Sequence, residues 1–499
     1  MNKKTVVFWC CLVVLCIFTA CLPTSYDFDL FARLIVGENV IEHGILPFRD
    51  FLSYTPTHPW FDHEWGSGVI FYLLLKYLGA FGFVLFYALA LFGICFFVIK
   101  TQKLQKHSFP PSIIFITLFL TLFAIENHNL VRCQLITFFL FSGFLYILEK
   151  NRNCGSNLVW LIPPVLIFWN NVHGGVVSGI GLVVIYLVGA VFEKRSFKKL
   201  LAVLTVSAAL LAVNPYGIKY LDFLLSATTM ERKFVVEWWP FYTAFHSTVA
   251  GLSCILGMFI AIISAIKNKQ ADITKFIVIL VTLTEGLLHI KLLSLALIAI
   301  AALCYNDIVR LLLKWKRILK KAEKILCTTI PVIFILLFPL LSPQTPRVDF
   351  TALPYKEVEF LKINNIKGNI VTPFALGSYV SYKLYPDNLI FMDGRYEEVY
   401  NNKEFYTMGD FELADTEAWN KILKDYDTQI LMIRKHIPAY KKMMTEKNWV
   451  HVYDGFLCGI FLREDKLKDI YKQPEENKSY YRHTAFDSYF GTKIRRNYE

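Results

Sequence analysis

Long apolar runs separated by short polar connections fill the first two thirds of the chain. They lie near residues 5–22, 69–99, 112–125, 134–148, 158–170, 175–192, 199–213, 248–266, 274–288, 291–304 and 325–342. Each predicts a helix. A membrane crossing takes roughly 20 residues, so the shorter runs need their polar or aromatic neighbours to complete a span, and the pattern predicts about 11 transmembrane helices. Past Ser342 the period changes. Short runs at 368–373, 388–393, 428–434, 449–454 and 457–464 read as strands, and 375–385, 416–426 and 438–447 read as helices. Strands alternating with helices predict a small α/β domain. The expected organisation is a polytopic α-helical membrane core over 1–342 with a first outer loop at 23–67, an α/β domain over 343–465, and a charged, aromatic tail over 466–499. No internal repeat interrupts this order.

Composition agrees with a membrane setting. The 499 residues are 55% hydrophobic, 16% aromatic and only 18% charged, with a mean hydropathy of +0.44. A soluble domain of that make-up would expose too much apolar surface. The net charge of +12 is topology information, since no zinc-finger, RRM or helix-turn-helix pattern accompanies it and nucleic acid is excluded as a partner. The connections at 100–106, 149–152, 193–199, 267–270 and 310–324 are basic, and those between them are not. The positive-inside rule puts the basic set and the N-terminus in the cytoplasm. An odd number of crossings then puts the α/β domain outside the plasma (inner) membrane. Met1–Leu22 has the outline of a signal peptide, but the cleavage site is poor and an uncleaved first helix is the better reading. Most of the 11 cysteines sit inside apolar runs as small core residues, and no metal-ligand spacing appears among them. Cys21 and Cys133 both fall near the outer face, although nothing in the sequence requires a bridge.

The first outer loop is where polar chemistry concentrates. It holds Asp27, Asp29, Glu38, Glu42, Asp50, Asp62 and Glu64 against only Arg33 and Arg49, together with His43, His58 and His63. Leu30, Leu34, Ile35, Val40 and Ile41 recur at helical spacing. They predict an amphipathic helix on the membrane surface with Asp27 and Asp29 at its start. Two readings follow for that pair. Acids at a helix N-terminus complement its dipole and need no further role. Alternatively, a partly desolvated carboxylate at the membrane boundary is placed to take a proton from an incoming hydroxyl. Nearby His63 and Glu64 have the donor chemistry for a divalent cation that would neutralise a departing phosphate, although "DHE" is too short to identify a metal.

The stretch "YDFDLFARLIVGENVIEHGILPFRDFLSYTPTHPWFDHEWGSGVIFYLL" resembles the opening of bacterial polytopic proteins of glycosyltransferase superfamily C. These are related to the polyprenyl-phosphate-sugar transferases, including protein O-mannosyltransferases and aminoarabinose transferases. The matching positions are Asp27, Asp29, Gly37, Ile41, Gly44, Pro47, Asp50, Ser53, Tyr54, Trp60, His63, Glu64 and Trp65. Arg33 stands where the group has a histidine. Further along, Arg132 and Gln134, "WNNVHGG" with His173, "NPYG", "EWWP", Lys291 and "FMDGRYEEVY" follow in the group's order. The resemblance implies a first-loop acid as catalytic base, with Asp29 favoured and Asp27 next. It implies Asp50, Arg132, His173 and Lys291 around the substrate phosphate, and His63 and Glu64 at a metal site.

Each of these has a plainer reading. Arg132 and Lys291 are placed to snorkel to the interface. His173 beside two glycines fits a hydrogen-bonded packing residue, which is the stronger reading for it. Trp238 and Trp239 fit interfacial anchors. Asp393 and Arg395 fit an ion-paired turn after a strand, again the stronger reading. The function expected is transfer of a sugar from a polyprenyl-phosphate donor to a glycan or lipid acceptor of the envelope, within membrane lipids. A non-enzymatic protein of the same fold that handles envelope polysaccharide is the alternative. A transporter is the third, and it is disfavoured because the ionisable residues gather at one face instead of the midplane.

Overall fold

The computed structural model describes residues 3–21, 27–105, 131–230, 232, 235–243, 255–259, 262–263, 272–307, 317–318, 321, 329, 336, 352–468 and 471–474. The run predicted at 112–125 lies outside them, and only fragments of 248–266 and 325–342 fall within. The chain forms two compact units. One takes Met1–Cys21, Val84–Asn129 and Cys133–Pro343, and the other Leu22–Phe83, Leu130–Arg132 and Gln344–Glu499.

The first unit is helical. Its elements are α1 (Lys3–Cys21), most of α4 (Ala80–Leu104), α5 (Gln134–Cys154), α6 (Ile162–Val172), α7 (Val176–Phe192), α8 (Lys198–Leu210), α9 (Lys219–Thr229), α10 (Ile273–Leu288) and α11 (Leu293–Leu303). The second contains α2 (Leu30–His43) and α3 (Trp65–Leu78). The run at 69–99, counted above as one crossing, is therefore two helices, α3 and α4. They part at Gly79, whose φ of +57° lies in the region glycine adopts most readily. Among the described residues, one helix, Phe81–Leu104, is long and apolar enough to cross a membrane. Thr5–Cys21, Trp65–Leu78, Asn157–Val172, Val176–Phe192 and Ile290–Leu303 are apolar but shorter.

In the first unit, α11 is buried along its whole length and packs on α10 through Ile279, Leu283, Leu293, Ala296 and Ile300. Polar side chains close the helix ends. Gln102 and Gln105 of the α4 end donate to the carbonyls of Ala301 and Ala302. These belong to the last turn of α11, where carbonyls lack partners along the helix. Arg152 joins Asp272 at 2.6 Å and Glu193 at 3.2 Å, and Lys275 joins Asp307 at 2.7 Å. Cys21 and Cys133 are free thiols.

The rest of the second unit is a mixed α/β region: α12 (Tyr355–Ile363), β1 (Ile370–Val371), α13 (Gly377–Leu384), α14 (Tyr396–Val399), α15 (Asn402–Glu412), α16 (Thr416–Asn420), β2 (Ile430–Arg434), α17 (Pro438–Met443), β3 (Trp449–Asp454) and β4 (Cys458–Arg463). The sheet order is β1-β2-β4-β3, with β1 parallel to β2 and the other pairs antiparallel. The stretch 388–393, expected as a strand, joins through isolated bridges: Ile390 meets Ile370 on one side and Ser53 on the other. The first loop thereby extends the sheet. Leu52 and Tyr54 exchange backbone bonds with Ile390, and the Thr55 hydroxyl donates to Phe391 O at 2.7 Å. Helix α2 rests on α13 through Phe31, whose ring lies 5.0 Å from Tyr379 and 5.5 Å from Tyr382.

Candidate active site

The paired aspartates stand where α2 begins. Asp29 is the residue before the first helical turn, and its side chain makes no capping hydrogen bond. The helix-start reading then rests on the helix dipole alone. Asp27 is buried, and its Oδ2 accepts from Nε of Arg132. Asp29 is half-buried. Desolvation pushes its pKa well above the ordinary carboxylate range, and the Asp27 charge adds to this. Arg132 and Arg33 pull the other way without cancelling it. The two acids thus have different surroundings: Asp27 is paired with an arginine, and burial makes Asp29 more basic than an ordinary carboxylate.

One helical turn on, Arg33 occupies the centre of a buried acid cluster. Its guanidinium pairs with Asp62, with Glu398 at 3.0 Å and with Glu64 at 3.5 Å. His63 lies against the same acids, with Nδ1 3.0 Å from Glu398 and Nε2 3.5 Å from both Glu64 and Glu397. Burial lowers the His63 pKa, but Glu64, Glu398 and Glu397 outweigh it and hold it up at about 9. Burial likewise raises Glu398, but Arg33 and His63 more than reverse that. Trp60 Nε1 donates to Glu398 at 2.9 Å, and the Glu64 N–H donates to Asp62 at 2.7 Å. The arginine that departs from the group's histidine is thus the internal counter-cation of three carboxylates.

His63, Glu64 and Glu398 each offer a ligand atom, all within 4.8 Å of one another. An imidazole and two carboxylates at that spacing fit a divalent cation. Such an ion would have to displace the proton that His63 carries at neutral pH.

A second buried knot lies in the Asp393–Arg395 loop. Arg395 has no exposed side-chain surface, and its Nε is 2.9 Å from Asp393 and its NH1 2.7 Å from Asp50. It also reaches the Tyr400 hydroxyl at 3.2 Å, which bonds Ser53 in turn, and its guanidinium sits 4.6 Å over the Trp60 ring. Asp50 additionally accepts from the Leu52 N–H at 3.1 Å. Burial raises the Asp50 pKa, but Arg395 more than offsets this and leaves it low.

The other two residues singled out above lie in the first unit. His173 Nδ1 accepts from the Gly175 N–H at 2.9 Å and is 2.7 Å from the Thr137 hydroxyl. That hydroxyl receives Trp169 Nε1–H at 2.9 Å. An accepting Nδ1 leaves the proton of a neutral ring on Nε2. Lys291 Nζ stands 5.2 Å from the Trp238 ring, which Arg232 covers at 4.0 Å. The structure therefore gathers Asp27, Asp29, Asp50, His63, Glu64 and Arg132 in the second unit, and holds His173 and Lys291 in the first. Sequence reasoning missed Glu397 and Glu398. The doubled acid in "GRYEEVY" is their only local signal.

Comparison with known proteins gives a likeness of fold. The structure of the archaeal oligosaccharyltransferase AglB from Archaeoglobus fulgidus, in complex with an inhibitory peptide and a dolichol-phosphate, is similar at a TM-score of 0.55. The likeness covers 87% of this chain and 70% of that one at 10% sequence identity. This chain has an oligosaccharyltransferase-like fold. No family model matches the sequence, and no curated protein does.

Proposed function

We propose that this protein is an integral membrane glycosyltransferase that moves a sugar from a polyprenyl-phosphate donor to a hydroxyl of an envelope acceptor. The observation that carries the reading is Asp29. Its carboxylate is half-buried, makes no capping hydrogen bond, and has its pKa raised by burial and by the neighbouring Asp27, which pairs with Arg132. A carboxylate that burial makes more basic than usual is suited to accept a hydroxyl proton. The fold likeness to a protein whose structure contains dolichol-phosphate supports a lipid-linked donor.

In the mechanism, Asp29 takes the proton of the acceptor hydroxyl as its oxygen bonds to the anomeric carbon. The bond from that carbon to the phosphate oxygen breaks on the opposite face, inverting the centre and releasing polyprenyl phosphate. Arg132, paired with Asp27 beside the base, is the cation proposed to meet the phosphate charge. A divalent cation held by His63, Glu64 and Glu398 would supply further positive charge to the leaving group. Asp50 acts through Arg395, holding the loop in place.

Turnover is tested with purified protein in liposomes supplied with polyprenyl-phosphate glucose or mannose, reading released polyprenyl phosphate. Asn at position 29 keeps the shape of the side chain but cannot take the proton. Asp29→Asn should lower the rate by ~10²–10⁴-fold while the protein stays folded. Asp27→Asn, which removes the partner of Arg132, should alter donor affinity as well. Wild-type rates in both variants would return the pair to a structural role. Together with the internally ion-paired cluster around Arg33, that result would favour the non-enzymatic reading.

A further inference from the structure

We propose that Gly394 is a positioning residue: the space left by its missing side chain is where the Asp29 carboxylate lies, so the Asp393–Arg395 loop sets the direction of that carboxylate. A Cβ built on Gly394 would stand 1.9 Å from Asp29 Oδ1 and 2.9 Å from its Cγ. The φ of Gly394 lies outside the left-handed region, so its backbone conformation does not call for glycine. What calls for glycine is the carboxylate.

The loop is built to hold that contact. Asp393 and Arg395 on either side are both buried, and Arg395 is tied to Asp393 and to Asp50. Behind the loop, the first residue of α13 allows no side chain either, because a Cβ on Gly377 would stand 2.4 Å from Met392 O. Helix α2, which carries Asp29 at its start, packs on the same α13 through Phe31. One helix therefore supports both the base and the wall against which the base rests. Over 360 residues of sequence separate the two, and the Asp-Gly-Arg element acquires a role beyond that of an ion-paired turn.

The inference rests on the reading of Asp29 as base, and the test separates the two. Gly394→Ala adds a methyl that meets only the far end of a short side chain, so the carboxylate swings away and the fold survives. A displacement of about 1 Å costs on the order of 10²-fold in rate. With polyprenyl-phosphate glucose in liposomes, kcat should fall by about that factor while KM for the donor holds. A double-mutant cycle on melting temperature supplies a readout without turnover. Gly394→Ala should be destabilising in the wild-type background and lose most of that effect in the Asp29→Ala background, where the atoms it meets are gone. The same comparison covers a Gly394→Ala variant too unstable to assay, because Asp29→Ala should then restore folding. Equal effects of Gly394→Ala in both backgrounds would overturn the inference. If the cycle shows coupling but Asp29→Asn turns over normally, the contact stands and the catalytic reading falls.

Discussion

Asp50 and Arg395 meet with essentially no exposed side-chain surface, at 2.7 Å, between a loop residue near position 50 and a turn 345 residues later. Asp50→Asn keeps the shape and loses the charge. A hydrogen bond to a charged group contributes about 1.5–3 kcal/mol, and Asp393 remains to neutralise Arg395, so a loss of that size is expected. The effect has a pH signature. Arg395 holds the Asp50 pKa below its ordinary value despite burial. A carboxylate with a depressed folded pKa contributes stability that is present above its unfolded pKa of ~3.9 and lost as pH falls through the folded value. Melting temperatures of wild type and Asp50→Asn should therefore differ at pH 7 and at pH 5, and converge below about pH 4. A gap that is unchanged at low pH would mean that packing, not charge, holds the pair. At this scale the sequence was half legible. Asp27 and Asp29 could be picked out because their spacing and place in the loop were local. Arg33 read as a departure from a pattern, because the acid that explains it best, Glu398, stands 365 residues away. No periodicity links such positions.

Among the elements, α2 shows most clearly what packing adds. Its apolar spacing predicts one buried stripe and a membrane-surface helix. In the structure every residue from Leu30 to Asn39 is buried, Arg33 and Glu38 included. Helix α3 covers one side and α13 another, and the arginine is tolerated because three acids from two segments meet it. The contact with α3 is close enough to be backbone on backbone. A Cβ on Gly37 would stand 2.1 Å from Gly68 O, and one on Gly68 would stand 2.5 Å from Arg33 O. Neither obstacle is a side chain that can swing aside. Gly68→Ala should force the helices apart, cost about 1–3 kcal/mol and loosen Arg33 from its acids. Thermal melting in detergent checks the first point, and an unaltered melting temperature would show that the helices have room to spare. The sheet was more legible than the helices around it. The predicted strands at 428–434, 449–454 and 457–464 coincide with β2, β3 and β4, since alternation and β-branched residues are local signals. Helices α12 and α15 went unread. Their sequences, "YKEVEFLKI" and "NKEFYTMGDFE", mix charged residues into the buried face, including Glu357 and Glu404.

Across the whole chain, the alternation of basic and non-basic connections makes a prediction about the sidedness of the helix ends of the first unit. The ends assigned to the cytoplasm by charge carry one set of contacts: Arg152 in the last turn of α5, Glu193 after α7, Asp272 before α10, Asp307 after α11 and Gln105 after α4. Other helix ends of the first unit carry another. Gln134 at the start of α5 donates to Lys291 O before α11, Thr137 meets His173 before α7, Asn170 of α6 reaches Leu211 O after α8, and the Ile290 N–H donates to Trp239 O. Helices α5, α7 and α11 thus have one end in each set. The positive-inside rule predicts the basic set on the cytoplasmic side. With the odd number of crossings expected from the sequence, the strands beyond residue 369 are predicted to lie outside. A periplasm-active reporter fused after Lys468, at the end of the sheet region, should be active, and the same reporter fused after Glu193 should be silent. A cytoplasm-active reporter at the two positions should give the reverse. Activity of the periplasmic reporter at Glu193, or of the cytoplasmic one at Lys468, would invert the bundle. It would also place Asp29 on the wrong side of the membrane for an acceptor in the envelope.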